Sequence, residues 1–185
     1  MSNKKRYRPL WVSLHWLMAA LVFVTFGIGL TSLGKTASST GKLIPLAVHL
    51  ILGIAILLIV VFRYILRVLV FMPLKRTSAA PVPSLKKTPF LDQLSFYVHP
   101  LLYLFSALMA LLGIAIALPA NLFPLIFAHA YGQLPPDFYI YPARSWHGSL
   151  SLVLLVLIAQ HVLVAIFHQF LKGENFLGRM WFTKK

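Results

Sequence analysis

Four stretches of this chain are too long and too apolar to be anything but membrane-spanning. They run from about Leu10 to Leu33, Leu43 to Phe71, Phe90 to Leu118 and Trp146 to Leu171. Inside them the only charges are Asp92 near the start of the third and Arg63 and Arg67 near the end of the second. A helix rises about 1.5 Å per residue and a bilayer core is about 30 Å thick, so each stretch can cross. Lipid offers no partner to a backbone N–H or C=O, so each must be a helix. The expected fold is all-α, an integral membrane four-helix bundle forming a single transmembrane domain over residues 1–185. The first stretch exceeds the apolar region of a signal peptide, and no small-residue cleavage site follows it, so it is expected to be retained.

Composition agrees. Of 185 residues 59% are hydrophobic and 11% charged, where a soluble domain carries about 25% charged residues. The absence of cysteine excludes disulfides and thiolate metal sites. The net charge of +14 raises nucleic acid as a partner, but the basic residues flank the apolar stretches and form no polar face, so nucleic-acid binding is excluded. Lipid is the expected partner.

The distribution of charge orients the bundle. Fourteen of the 17 basic residues lie in the N-terminal segment, the tail, the second loop and the adjoining end of helix two. The other two loops hold only Lys35, Lys42 and Arg144. The basic side faces the cytoplasm, which places both termini there in a multi-pass protein of the bacterial inner membrane. The second loop, around Pro73 to Thr88, reads as a polar connector near anionic headgroups. The third, Pro119 to Ser145, is expected to rest on the outer surface with a short helix near Leu122 to Ala130.

The histidines carry the chemistry. His15, His49, His99, His147 and His161 lie within the apolar stretches, His168 near the end of the fourth, and His129 in a loop. Ionisable side chains inside a membrane are costly and mark functional paths. Hydrogen-bonding glue between helices is the plainer alternative, and it would make the chain a haem-free transporter or scaffold. The depths favour function. His15 lies just inside helix one from the cytoplasm, and His49 just inside helix two from outside. His147 and His161 are 14 residues apart on helix four. That is about 21 Å along the axis and within about 40° of one face. The outer histidine of helix four therefore stands at the level of His49, and the inner one at the level of His15.

Two stacked pairs of imidazoles suit two b-type haems, which need no cysteine for attachment and occupy the core of helix bundles. Two haems about 20 Å apart would carry electrons across the membrane. Zinc is not expected, because no depth supplies three or four ligands. Gly27, Gly29, Gly53, Gly113 and Gly148 lie near the candidate ligands and would give room to a porphyrin or to close helix packing. Arg63 and Arg67 share a face and could pair with haem propionates or anchor the helix. Lys42 and Arg144 flank the outer ligands and could hold propionates or attract an anion. The Trp and Tyr residues near helix ends are expected to be interface anchors.

The segment Ser13-Leu14-His15-Trp16, a histidine early in helix two, and Arg63 and Arg67 at its end resemble the bacterial cytochrome b561 family. So do Ser145-Trp146-His147, then His161 and His168, and the tail Lys172 … Arg179-Met180. The resemblance implies two haem b groups, with His15 and His161 as inner ligands and His49 and His147 as outer ligands. It also implies exchange of electrons with ubiquinone and, by likeness to superoxide:ubiquinone oxidoreductases, superoxide as the periplasmic donor. The alternative it implies is a cytochrome b subunit, serving as membrane anchor and electron wire for a separate dehydrogenase or hydrogenase as redox partner protein.

A quinone needs a nearby group that trades protons. His168 lies seven residues beyond His161 and about 10 Å nearer the cytoplasm. It is expected, with Lys172, to form the quinone site. His99 is expected to be an interfacial or packing residue, and His129 a solvated loop residue.

Overall fold

The computed structural model describes residues 9–33, 39–71, 90–128, 132–173 and 176–181. The connector expected around Pro73 to Thr88 and His129 lie outside the described residues. Helix α1 spans Pro9–Ile28, α2 Ser39–Leu66, α3 Phe90–Ala117, α4 Leu122–Phe127, α5 Pro142–Phe170 and α6 Phe176–Arg179. α1 and α2 each run on into a wider π-helical turn, Gly29–Leu33 and Arg67–Phe71. A single 3-10 turn, Phe138–Ile140, precedes α5. Among the described residues there is no strand. Four helices, α1, α2, α3 and α5, are long and apolar enough to cross a membrane.

Three hydroxyl side chains on these helices are satisfied within their own helix, as suits an apolar solvent. Thr25 Oγ1 donates to the carbonyl of Leu21 at 2.7 Å, Thr31 Oγ1 to that of Gly27 at 2.7 Å, and Ser151 Oγ to that of Gly148 at 2.6 Å. Large apolar side chains point outward on every long helix, among them Phe23, Leu58, Leu104, Leu111, Val156 and Leu163. A water-soluble monomer does not tolerate apolar surface on this scale, whereas lipid does.

The ends of the helices have local causes. α5 begins at Pro142, whose fixed φ suits the first helical turn and whose missing N–H would have had no partner there. His147 consequently lies in the second turn of α5. Asn121, at φ 54°, makes the left-handed turn from α3 into α4, a conformation asparagine tolerates. Gly173, at φ 64°, ends the chain's descent from α5. Asp137 accepts the Tyr139 N–H at 2.8 Å and starts the 3-10 turn.

Packing follows chain order: α1 lies on α2, α2 on α3, and α3 on α5. Between the backbone of α5 and those of α1 and α2 there are few close approaches among the described residues. The four long helices surround an interior gap, with α5 on one side and α1 and α2 on the other. At the upper end Leu50, Ala117, Ala120, Leu122 and Leu134 form a small buried cluster. Phe123, Phe138 and Tyr141 pack against it, so α4 and the segment after it cap that end of the gap.

Candidate functional site

The gap holds two cavities, one above the other. The upper, of about 300 Å3, is lined by His49, Gly53, Gly113, His147, Lys42 and Arg144 among others. The lower, of about 140 Å3, is lined by His15, Arg63, His99, Tyr103 and His161 among others. Val22 of α1 and Ser106 of α3 border both and form the partition between them.

One pair of imidazoles faces across each cavity. In the lower, the rings of His15 and His161 have centroids 6.1 Å apart with planes at 61°. In the upper, those of His49 and His147 are 6.2 Å apart with planes at 62°. A metal–imidazole bond is about 2 Å long and a ring centroid lies about 1.1 Å behind its ligating nitrogen, so two imidazoles on opposite sides of one ion have centroids about 6.2 Å apart. Both pairs have that spacing. Among the described residues no three His, Asp or Glu side chains converge as a metal site, so each pair supplies two ligands only. A metal held there must bring its remaining donors with it, as a porphyrin iron does.

The surroundings fit such a group. The Nδ1 atoms of His49 and His147 are buried without a hydrogen bond of good geometry. The backbones of Thr25 and Met109 lie within interaction range of the two rings, placing a polar neighbour where metal-bound histidines commonly have one. A Cβ on Gly29 would come 3.2 Å from His49 Cε1, and one on Gly113 3.6 Å from His147 Cε1. These glycines leave room for the rings. Gly53 has nothing within 4 Å of a Cβ position and opens onto the upper cavity. Gly148 instead makes room for Arg144, whose Nη1 would be 3.2 Å from a Cβ there. Gly27 faces neither a ring nor a neighbouring helix within that range.

The expected cationic residues divide. Arg63 borders the lower cavity, where its Nε donates to the Tyr103 hydroxyl at 2.8 Å. Its guanidinium lies 5.5 Å from the Tyr103 ring centroid and 5.9 Å from that of Trp11. Arg67 is exposed in the π-helical turn and lines neither cavity. Lys42 and Arg144 both line the upper cavity, and Arg144 lies over the Tyr139 ring at 4.9 Å. His168 is 3% exposed, with its ring 6.0 Å from that of Phe167, and lines neither cavity. Lys172 is exposed, with Nζ 5.8 Å from the Phe167 ring centroid.

Three residues beyond the sequence expectations join the lower site. His99, expected to be interfacial or packing, stands 5.1 Å from His161. Tyr103 holds Arg63, and Ser106 is buried between the cavities. Together with Leu102 they occupy positions 99, 102, 103 and 106, the spacing of one helix face. That stripe was visible in the sequence. What was missing was the knowledge that α3 turns it toward His161.

No solved structure matches the chain. The family model for prokaryotic cytochrome b561 matches residues 6–183. With paired imidazoles at two levels of a four-helix membrane bundle, and a match over nearly its full length, the chain belongs to the prokaryotic cytochrome b561 family, whose members are haem b-binding membrane cytochromes of electron transfer.

Proposed function

We propose that the protein is a di-haem b membrane oxidoreductase that moves electrons between superoxide on the periplasmic side and ubiquinone in the membrane. The observation that carries the two-haem reading is the repetition of one ring geometry, 6.1 Å at 61° and 6.2 Å at 62°, at two heights in the bundle. His15 and His161 would hold the inner group, and His49 and His147 the outer. When bound, haem b supplies a one-electron ferric–ferrous couple.

On the positive-inside rule the lower cavity and both termini would face the cytoplasm. Lys42 and Arg144 then stand at the periplasmic end, where they attract an anion such as superoxide. Arg63 offers a planar pair of donors to a carboxylate at the inner site. Two superoxide ions, each leaving as dioxygen, give the two electrons that one quinone takes up with two protons to form quinol. Lys172, exposed at the end of α5, meets a headgroup arriving from lipid, and His168 beneath it relays a proton.

Absorption spectra and haem-to-protein ratios of His15→Ala, His49→Ala, His147→Ala and His161→Ala test the ligand assignment. The wild type is expected to carry two haems. His15 and His161 variants should share one spectral phenotype, and His49 and His147 variants the other. Retention of both haems in any of the four would sink the pairing. Quinone reduction by the purified protein under a superoxide flux tests the substrates. Inertness with a full haem complement would favour an electron wire for a separate dehydrogenase.

A further inference from the structure

Three imidazoles meet at the lower cavity and two at the upper. His99 of α3 borders the lower cavity, with its ring centroid 5.1 Å from that of His161 and its plane at 86° to it. Among the described residues no third imidazole lines the upper cavity. The distance is about 1 Å too short for two rings on opposite sides of one ion, and no three ligating side chains converge on a common point. His99 is therefore not a further ligand of the metal that the His15–His161 pair would hold.

We infer that His99 is a positioning residue, whose ring stands edge-on to His161 and fixes the plane in which that imidazole spans the inner site. The inference rests on the reading of His15 and His161 as one ligand pair. A ligating imidazole can rotate about its bond to the metal, so its plane needs a neighbour to hold it. A T-shaped ring contact is favourable by roughly one to two and a half times the thermal energy, which is enough to bias a single torsion. The position is built into α3: residues 99, 102, 103 and 106 form one stripe along the lower cavity, and the buried Ser106 fixes the stripe's far end. Among the described residues no third imidazole stands beside His147 in the same way, although the two pairs have nearly the same interplanar angle.

The angle between two axial imidazole planes sets the splitting of the ferric d orbitals, so low-temperature EPR reads it directly. Ferric wild-type protein should give two low-spin signals, assigned to the inner and outer sites from the spectra of His15→Ala and His49→Ala. In His99→Ala the inner signal should shift or broaden, the outer should stay, and both haems should remain. His99→Phe keeps an edge-on ring and should restore the inner signal. Unchanged signals in His99→Ala would overturn the inference. So would an equal shift in His99→Phe, or the loss of one haem in His99→Ala, which would make His99 a ligand. A wild type without haem, or a His15→Ala protein that keeps both, would instead defeat the ligand-pair reading itself.

Discussion

Gly29, the first residue of the π-helical turn after α1, stands against the imidazole of His49, so that a Cβ there would lie 3.2 Å from Cε1 and 3.7 Å from Nδ1 of the ring. The contact is tighter than carbon atoms ordinarily make, so either the ring or α1 would have to shift. Gly113 has the same relation to His147 with more room, 3.6 Å to Cε1. Gly29→Ala should therefore disturb the outer pair, with an overpacking cost of about 1–3 kcal/mol. Gly113→Ala should be nearly silent. Thermal melts and the outer haem's low-spin signal check both. Equal effects from the two substitutions would mean that neither glycine is there for the ring.

Arg63 is held at the inner site by the Tyr103 hydroxyl, at 2.8 Å. A hydrogen bond to a charged group contributes about 1.5–3 kcal/mol, and this one is only partly buried, so the lower end applies. A cation beside a haem disfavours the more positive ferric form and so raises its midpoint potential. Arg63→Gln should lower the inner potential. Tyr103→Phe should lower it less, by loosening the guanidinium. A change of about 1.4 kcal/mol corresponds to about 59 mV for a one-electron couple, so shifts of tens of mV are expected. Redox titration followed at the two haem bands separates the sites. A shift confined to the outer haem would contradict the assignment.

The helices and the histidine pairs were legible because both obey one-dimensional rules. Lipid forces any long apolar stretch into a helix, and residues 14 apart on a helix return to nearly one face. That is why positions 147 and 161 point to two levels without any knowledge of packing. His99 shows where the rule stops. Its depth near the start of helix three was evident, but its partner depends on how α3 is rotated and on α5 lying beside it. The same holds for Tyr103, to which sequence alone assigned no role. Arg67, four residues after Arg63, lines neither cavity, and the π-helical turn that begins there changes the pitch. The starts of α2 at Ser39 and α5 at Pro142, ahead of the apolar stretches, reflect polar or aromatic first turns that hydropathy does not mark.

The uneven packing of the four helices predicts where the cofactors matter to stability. α1 packs mainly on α2 and has at most a few close backbone approaches to α5 among the described residues, although His15 of α1 faces His161 of α5 across the gap. A group bound by both would tie the two helices together, and ligand binding to the folded state stabilises it by mass action. Haem-depleted protein in detergent should therefore show faster amide hydrogen exchange in α1 than in α2 and α3, with holo protein protected throughout. His15→Ala should reproduce the α1 effect. Uniform loss of protection across all four helices would argue for a collapse of the whole bundle instead.

The short helix α6 is fastened back onto α1 beside the inner ligand. The Trp16 indole N–H donates to the Met180 carbonyl at 2.7 Å, and the Trp16 and Trp181 rings meet edge-on at 5.8 Å. On the other side Gln169 Oε1 accepts the Leu177 N–H at 2.9 Å. Carbonyls at a helix end lack intrahelical partners, so the indole meets a need of the backbone as well as its own. Trp16 also lies 5.5 Å from His15, ring to ring, so the fastening bears on the ligand next to it. Trp16→Phe keeps the ring contact and loses the hydrogen bond, about 1 kcal/mol, and should speed exchange of the amides at 176–181 about fivefold. Trp16→Ala loses both and should speed it further while also shifting the inner haem's spectrum. Exchange at 176–181 that is the same in Trp16→Ala as in wild type would show that α6 is held by something else.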